Sequence, residues 1–228
     1  MGMSSRVLAL ASGTGATATQ TGAAAHEATI TTTVTSGRCY MAAVDFANTA
    51  FTADANTSGI NDFADATNLR HYGSFRASVS TGTPGALTQG CTAPADNGGL
   101  AVVEILPVTS GTPTVDTATN FGVISTTAAT TLTSASFTPP AGTLVVVMIS
   151  ANGGAGVVTM SVTDSYGLVW TEVVNSSASG AGYAGVWVAR VPQVSASPPL
   201  FAPGWHPGVG LPGLPAGTPF WQPPSAVG

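Results

Sequence analysis

Apolar and polar side chains alternate along this chain in short runs, each closed by Gly, Pro, Asn or Asp. The run "TTLTSASFTPP" alternates until Pro139 and Pro140 break it. "GTLVVVMIS" is instead continuously apolar from Leu144 to Ile149, the mark of a strand covered on both faces. "VVTMSVTDS" alternates, with Val158, Met160 and Val162 on one side, and "GLVWTEVV" follows a Tyr166-Gly167 turn. "AGYAGVWVARV" alternates again through Val186 and Val188. Upstream, "HEATITTTVTSGRCYMAAVDF" predicts two strands about a Ser36-Gly37 turn; "GSFRASVS" and "GGLAVVEILP" predict two more. Short β-branched runs punctuated by turn residues predict an all-β fold of immunoglobulin-like or jelly-roll-like β-sandwiches. The Cys and Trp spacing of antibody domains is absent, so "immunoglobulin-like" describes architecture only.

Three pieces recur in order, which sets the domain reading. "SGRCYMAAVDFAN" resembles "AGTLVVVMISANG", "RASVSTGTPGALTQ" resembles "TMSVTDSYGLVWTE", and "LAVVEILPVTSGTP" resembles "AGVWVARVPQVSAS". The expectation is two tandem sandwich domains, 26–110 and 111–193, with an Asp/Asn-rich insertion at 49–72 in the first. Residues 1–25, rich in Ala, Thr and Gly, read as a flexible N-terminal arm. Residues 194–228 read as an extended Pro/Gly-rich C-terminal arm.

Composition narrows the function classes. Only 7% of residues are charged and there is no Lys; the basic residues are Arg6, Arg38, Arg70, Arg76 and Arg190. A net charge of -5 with scattered Arg forms no basic patch, so no nucleic-acid partner is expected. The Leu144–Ile149 run is far too short to span a bilayer, and the five-residue apolar stretch near the start is short for a leader. Cys39 and Cys91 are read as free buried thiols, with a single disulfide as the alternative.

Candidate chemistry is sparse. In "DANTSGINDFAD", Asp54, Asn56, Ser58, Gly59, Asp62 and Asp65 occupy positions 1, 3, 5, 6, 9 and 12 of an EF-hand-type frame. Alternating oxygens with a Gly at the bend are what Ca²⁺ requires, but the last ligand is Asp rather than Glu and the flanks are not helical. A solvated loop with local Asx turns explains the same residues, with calcium kept as the alternative. No other cofactor is expected. The histidines His26, His71 and His206 lie far apart and in no zinc-binding spacing. No phosphate-binding loop, nucleophile elbow or Cys/His arrangement is present. Asp164 and Glu172 could be paired carboxylates, but "TDSYGLVWTE" reads better as a hairpin with Asp164 in the turn and Glu172 facing solvent. No enzymatic activity is expected. Tyr166, Trp170, Tyr183 and Trp187 could make a sugar platform, although strand spacing places the two Trp in packing roles.

The C-terminal stretch "GWHPGVGLPGLPAGTPFWQPP" joins many Pro to large apolar side chains. Pro fixes φ and removes donors, so this stretch favours extended polyproline II and cannot form a helix. Leu200, Phe201, Trp205, His206, Leu211, Leu214, Phe220 and Trp221 read as anchors for grooves on a neighbour.

From Thr131 to Gln193, "ASFTPPAGTLVVVMISANGG", "VTMSVTDSYGLVWTEV" and "GYAGVWVARVP" resemble a β-sandwich module of structural proteins of tailed phages, particularly those infecting actinobacteria. The shared pattern is an "F-x-P-P-x-G-x-L-V-V" opening strand followed by a "V-x-D-S-x-G-x-x-W" hairpin. The tail also resembles C-terminal arms of such virion proteins. The resemblance implies a non-enzymatic accessory or decorating protein of the capsid or tail surface. Its partners would be other virion proteins and further copies of itself. It would assemble in the host cytoplasm and leave by lysis. A receptor- or glycan-binding tail protein and a secreted bacterial adhesion module are the alternatives.

Overall fold

The computed structural model describes residues 1–23, 26–46, 50–65, 70–77, 83–92, 97–108, 113–115, 121–124, 131–152, 159–178 and 182–193. Among them there is no helix, and the strands form three antiparallel sheets. The front sheet contains β1 (Gly2–Ala9), β10 (Thr114–Val115), β11 (Phe121–Ile124), β12 (Leu144–Ala151), β13 (Thr171–Ala178) and β14 (Gly182–Arg190). Its order is β10-β1-β12-β14-β13, with β11 also paired to β1. The middle sheet contains β2 (Ala11–Ala23), β4 (Arg38–Asp45), β6 (Thr57–Asp65), β7 (Arg70–Ala77) and β9 (Asn97–Pro107), in the order β2-β9-β4-β7-β6. The back sheet is β3 (His26–Thr31), β8 (Ala86–Thr92) and β5 (Thr52–Ala53), in the order β3-β8-β5.

Strand alternation explains the stacking. In β4, Tyr40, Ala42 and Val44 meet Val103 and Ile105 of β9, Val146 and Met148 of β12, and Val186 of β14, closing the front–middle core. The intervening Cys39, Met41 and Ala43 meet Leu100, Val102, Ile30 and Cys91 in the middle–back core. Central strands are therefore covered on both sides, which is why β4, β9 and β12 read as continuous apolar runs. The back sheet has one solvated face, and β3 alternates buried and exposed accordingly. Each fully buried Val, Leu or Ile contributes about 1.5–3 kcal/mol of transfer free energy. Cys39 and Cys91 are free and buried here. Burial, with Glu104 beside it, pushes the Cys39 thiol up to about 12.

Buried polar groups stitch the layers. Glu104 is fully buried, and its carboxylate accepts from Ala16 N, Thr33 N, Thr33 Oγ1 and Val34 N at 2.8–3.3 Å. These donors replace water and pin the turn before β4 against β9 and β2. His26 is fully buried, with Nε2 3.1 Å from Val44 O and 3.8 Å from Asp45 Oδ1.

Two expectations change. The N-terminal segment is not a free arm: β1 sits between β10 and β12, and β2 pairs with β9 at the edge of the middle sheet. The chain passes from one sheet to the other at Leu10, which has φ 56°. The missed signal is alternation of small residues: Ala16 and Ala18 pack inward while Thr17 and Thr19 face solvent. Nor are there two separate sandwiches, since residues Met1–Val194 cluster as one compact unit. The first half supplies the middle and back sheets, and the second half supplies the front sheet, completed by β1. The middle sheet has two apolar faces, so it needs a cover on each, and the second half provides one of them. The first and third repeat pieces do lie side by side, as β4 beside β9 and β12 beside β14. The 194–228 arm lies outside the described residues.

Candidate functional site

The outer face of the front sheet carries Val7, Val145, Val147 and Ile149. Two segments, 131–142 and 159–170, run over it and turn Phe137, Met160, Val162, Leu168 and Trp170 inward. Alternation predicts strands in both. The structure keeps the alternation, with Met160 and Val162 half-buried between exposed Thr159, Ser161 and Thr163, but neither segment joins a ladder among the described residues. Between these segments and the sheet lies a cavity of about 720 Å³, lined by Met3, Leu132, Phe137, Val147, Met160 and Trp170 among others. Tyr166 and Val169 are exposed at 55% and 83%.

The rim is organised by Asp164. Its Oδ1 accepts from Tyr166 N at 2.6 Å and Leu168 N at 3.3 Å, and its Oδ2 accepts from Trp170 Nε1. Partial burial raises the carboxyl, but bonds from Trp170 and the amides of Leu168, Tyr166 and Gly167 outweigh it and hold Asp164 below its ordinary value. Tyr166 Oη and Thr138 Oγ1, 2.8 Å apart, tie the two segments together. Trp170 is thus half-buried and hydrogen-bonded, unlike an open stacking platform.

Glu172, expected to face solvent, is half-buried and accepts from Tyr183 Oη, which in turn accepts from Trp187 Nε1 at 2.9 Å. Burial and the Glu172 carboxylate hold the Tyr183 hydroxyl well above its ordinary range. A Cβ at Gly185 would fall 2.3 Å from Tyr183 Oη, so only glycine leaves room for the ring. Asp164 and Glu172 are therefore engaged with Trp and Tyr side chains.

The calcium frame does not converge. Asp54 follows β5 and Asn56 lies in a turn, but Ser58, Asp62 and Asp65 are spread along β6. At about 3.3 Å per residue, Ser58 and Asp65 stand roughly 23 Å apart along the strand. Asp62 is exposed while Asp65 is buried. Calcium ligands must all reach within about 2.6 Å of one ion. The insertion is an edge strand because its Ile60 and Phe63 pack on the front–middle core. Asp54 instead meets Glu27 of β3, whose carboxyl is raised first by the Asp54 charge, then by partial burial and a shared hydrogen bond. No group of three or more His, Cys, Asp or Glu suited to a metal occurs among the described residues.

The anchors Leu200, Phe201, Trp205, His206, Leu211, Leu214, Phe220 and Trp221 lie outside the described residues, as do the side chain of His71 and the whole of Val158. Comparison with protein families, with curated proteins and with solved structures finds no match to this chain.

Proposed function

We propose that this chain is a non-enzymatic structural protein of a tailed-phage virion, an accessory or decorating protein of the capsid or tail surface. One observation carries the docking part of the reading. The front sheet's outer face is an apolar groove flanked by two extended segments that join no ladder, on a chain with only 7% charged residues. Such a face is suited to completion by another chain. The occupant is the C-terminal arm of a neighbouring copy. It is poor in charge, and its Pro residues lower the entropy lost on docking while Leu200, Phe201, Trp205, Phe220 and Trp221 supply apolar anchors. The virion assignment itself rests on the resemblance of residues 131–193 to phage β-sandwich modules.

Two experiments test this. Immunolabelling of purified particles tests the virion role, and absence of the protein from particles refutes it. A chain ending at Pro192 should still fold, yet remain monomeric by light scattering where the full chain associates; a synthetic 194–228 peptide should then bind it. Association unchanged by truncation refutes the docking role. Pull-down on host glycan or cell wall would favour the receptor-binding or adhesion alternative.

A further inference from the structure

The seam between β1 and β7 holds a cluster of cations that the docking reading does not use. The two strands run alongside each other across the front–middle interface. A Cβ at Gly2 would lie 2.9 Å from Tyr72 Cβ, and Ser4 Oγ lies 2.8 Å from Ser74 Oγ. Two residues further along both strands, on the same faces, are Arg6 and Arg76. Tyr40 stands opposite Arg76 in the β4–β7 register, and Arg38 lies two residues before Tyr40 on the same face of β4. Three guanidiniums therefore surround one phenol. Tyr40 is fully buried and Arg6 is 7% exposed.

Nothing in the described residues neutralises them. No described carboxylate pairs with Arg6, Arg38 or Arg76; the described side chain–side chain ion pair is His26 with Asp45, at the other end of β4. Glu104 lies on the opposite face of β9, held by its own four donors. Arg6 Nη1 reaches only Ser5 O, at 3.4 Å. Arg38 Nε and Tyr40 Oη are buried with no hydrogen-bond partner. Like charges facing each other in a partly dehydrated seam are unfavourable without an anion. Burial depresses the Arg6 guanidinium, opposed by Tyr40 and reinforced by Arg76. Buried unpaired donors on β4, with the Arg6 cation of the facing sheet beside them, are what a bound oxyanion satisfies.

We propose that Arg6, Arg38, Arg76 and Tyr40 form a binding site for a tetrahedral oxyanion, phosphate or sulfate, that locks the front sheet onto the middle sheet. The guanidiniums supply forked donors and the Tyr40 hydroxyl a further one. This stands independently of the docking groove, which lies on the other face of the front sheet.

The test is thermal unfolding of the full chain in inorganic phosphate, sulfate or acetate against chloride at matched ionic strength. Phosphate and sulfate should raise Tm saturably, by about 5 °C at a hundredfold excess over Kd. The better of the two identifies the natural occupant. Arg76→Gln should lose the saturable rise, while its Tm without phosphate equals or exceeds that of the parent, because like-charge repulsion is relieved. Arg38→Gln gives the same reading should Arg76→Gln fail to fold. An equal, non-saturating rise in parent and variants is general salting-out and overturns the proposal. So does a response to acetate as large as that to phosphate.

Discussion

The two faces of the front sheet make an instructive contrast. Toward the middle sheet, Leu144, Val146 and Met148 are at most 3% exposed and meet a second paired sheet. Away from it, Val145, Val147 and Ile149 are also nearly buried, but their covers are extended segments whose own inward side chains stay half-buried. One strand thus has a sealed face and a loosely roofed one. Alternation alone sets which way side chains point; ladder pairing decides whether the cover is rigid.

The largest effect comes from charging the sealed face. Val146→Asp buries an unpaired carboxylate and should cost more than about 4 kcal/mol, a large share of an ordinary domain's stability, seen as loss of a cooperative denaturant transition. A matched truncation on each side is sharper. Met148→Ala should cost about 3 kcal/mol by urea unfolding, and Met160→Ala only about 1, because the half-buried roof relaxes into the space. Equal costs would show the roof to be as well packed as the core.

Asp164→Asn keeps one acceptor but loses the one serving Trp170 Nε1. It should cost about 1 kcal/mol near neutral pH, limited by solvent screening at an exposed turn. The pH sign is fixed by the direction of the shift. Asp164 is held below its ordinary value of 3.8, so its contribution is present above that value and is lost as pH falls through the depressed one. Asp164→Asn should therefore flatten the stability loss that sets in as pH falls below about 4. The smallest effect is at the back sheet. Glu27 is raised above its ordinary value of 4.5 by Asp54, so its repulsion is absent while it is protonated and grows as pH rises through the raised value. Glu27→Gln should raise Tm by about 1 °C at pH 7 and by nothing below about pH 4.

Much of the fold was legible. The continuous run at Leu144–Ile149 announced a strand covered twice, and the Ser36-Gly37 turn and repeat pieces located β4, β9, β12 and β14. The N-terminal strands were hidden because β2 is built from Ala, Thr and Gly, whose small side chains give a weak pattern. Of the candidate sites, the outer-face aromatics were visible one by one, but not the groove. The Arg6–Arg76 pairing was invisible, because seventy residues of chain separate side chains that two sheets bring together. The calcium frame shows the reverse case: ligand spacing presumes a curled loop, and β6 spreads Ser58, Asp62 and Asp65 along a strand.

By itself the sequence determined that this is a β chain with little charge and turn-bounded strands. These follow from local rules of side-chain period, Pro and Gly geometry, and composition. Only the tertiary structure decided that the first residues complete the last sheet, that three layers share one unit, that two alternating segments roof a groove rather than pair, and that three arginines meet around Tyr40. Each of these depends on which apolar faces find each other across long stretches of chain, and local periodicity carries no information about the partner.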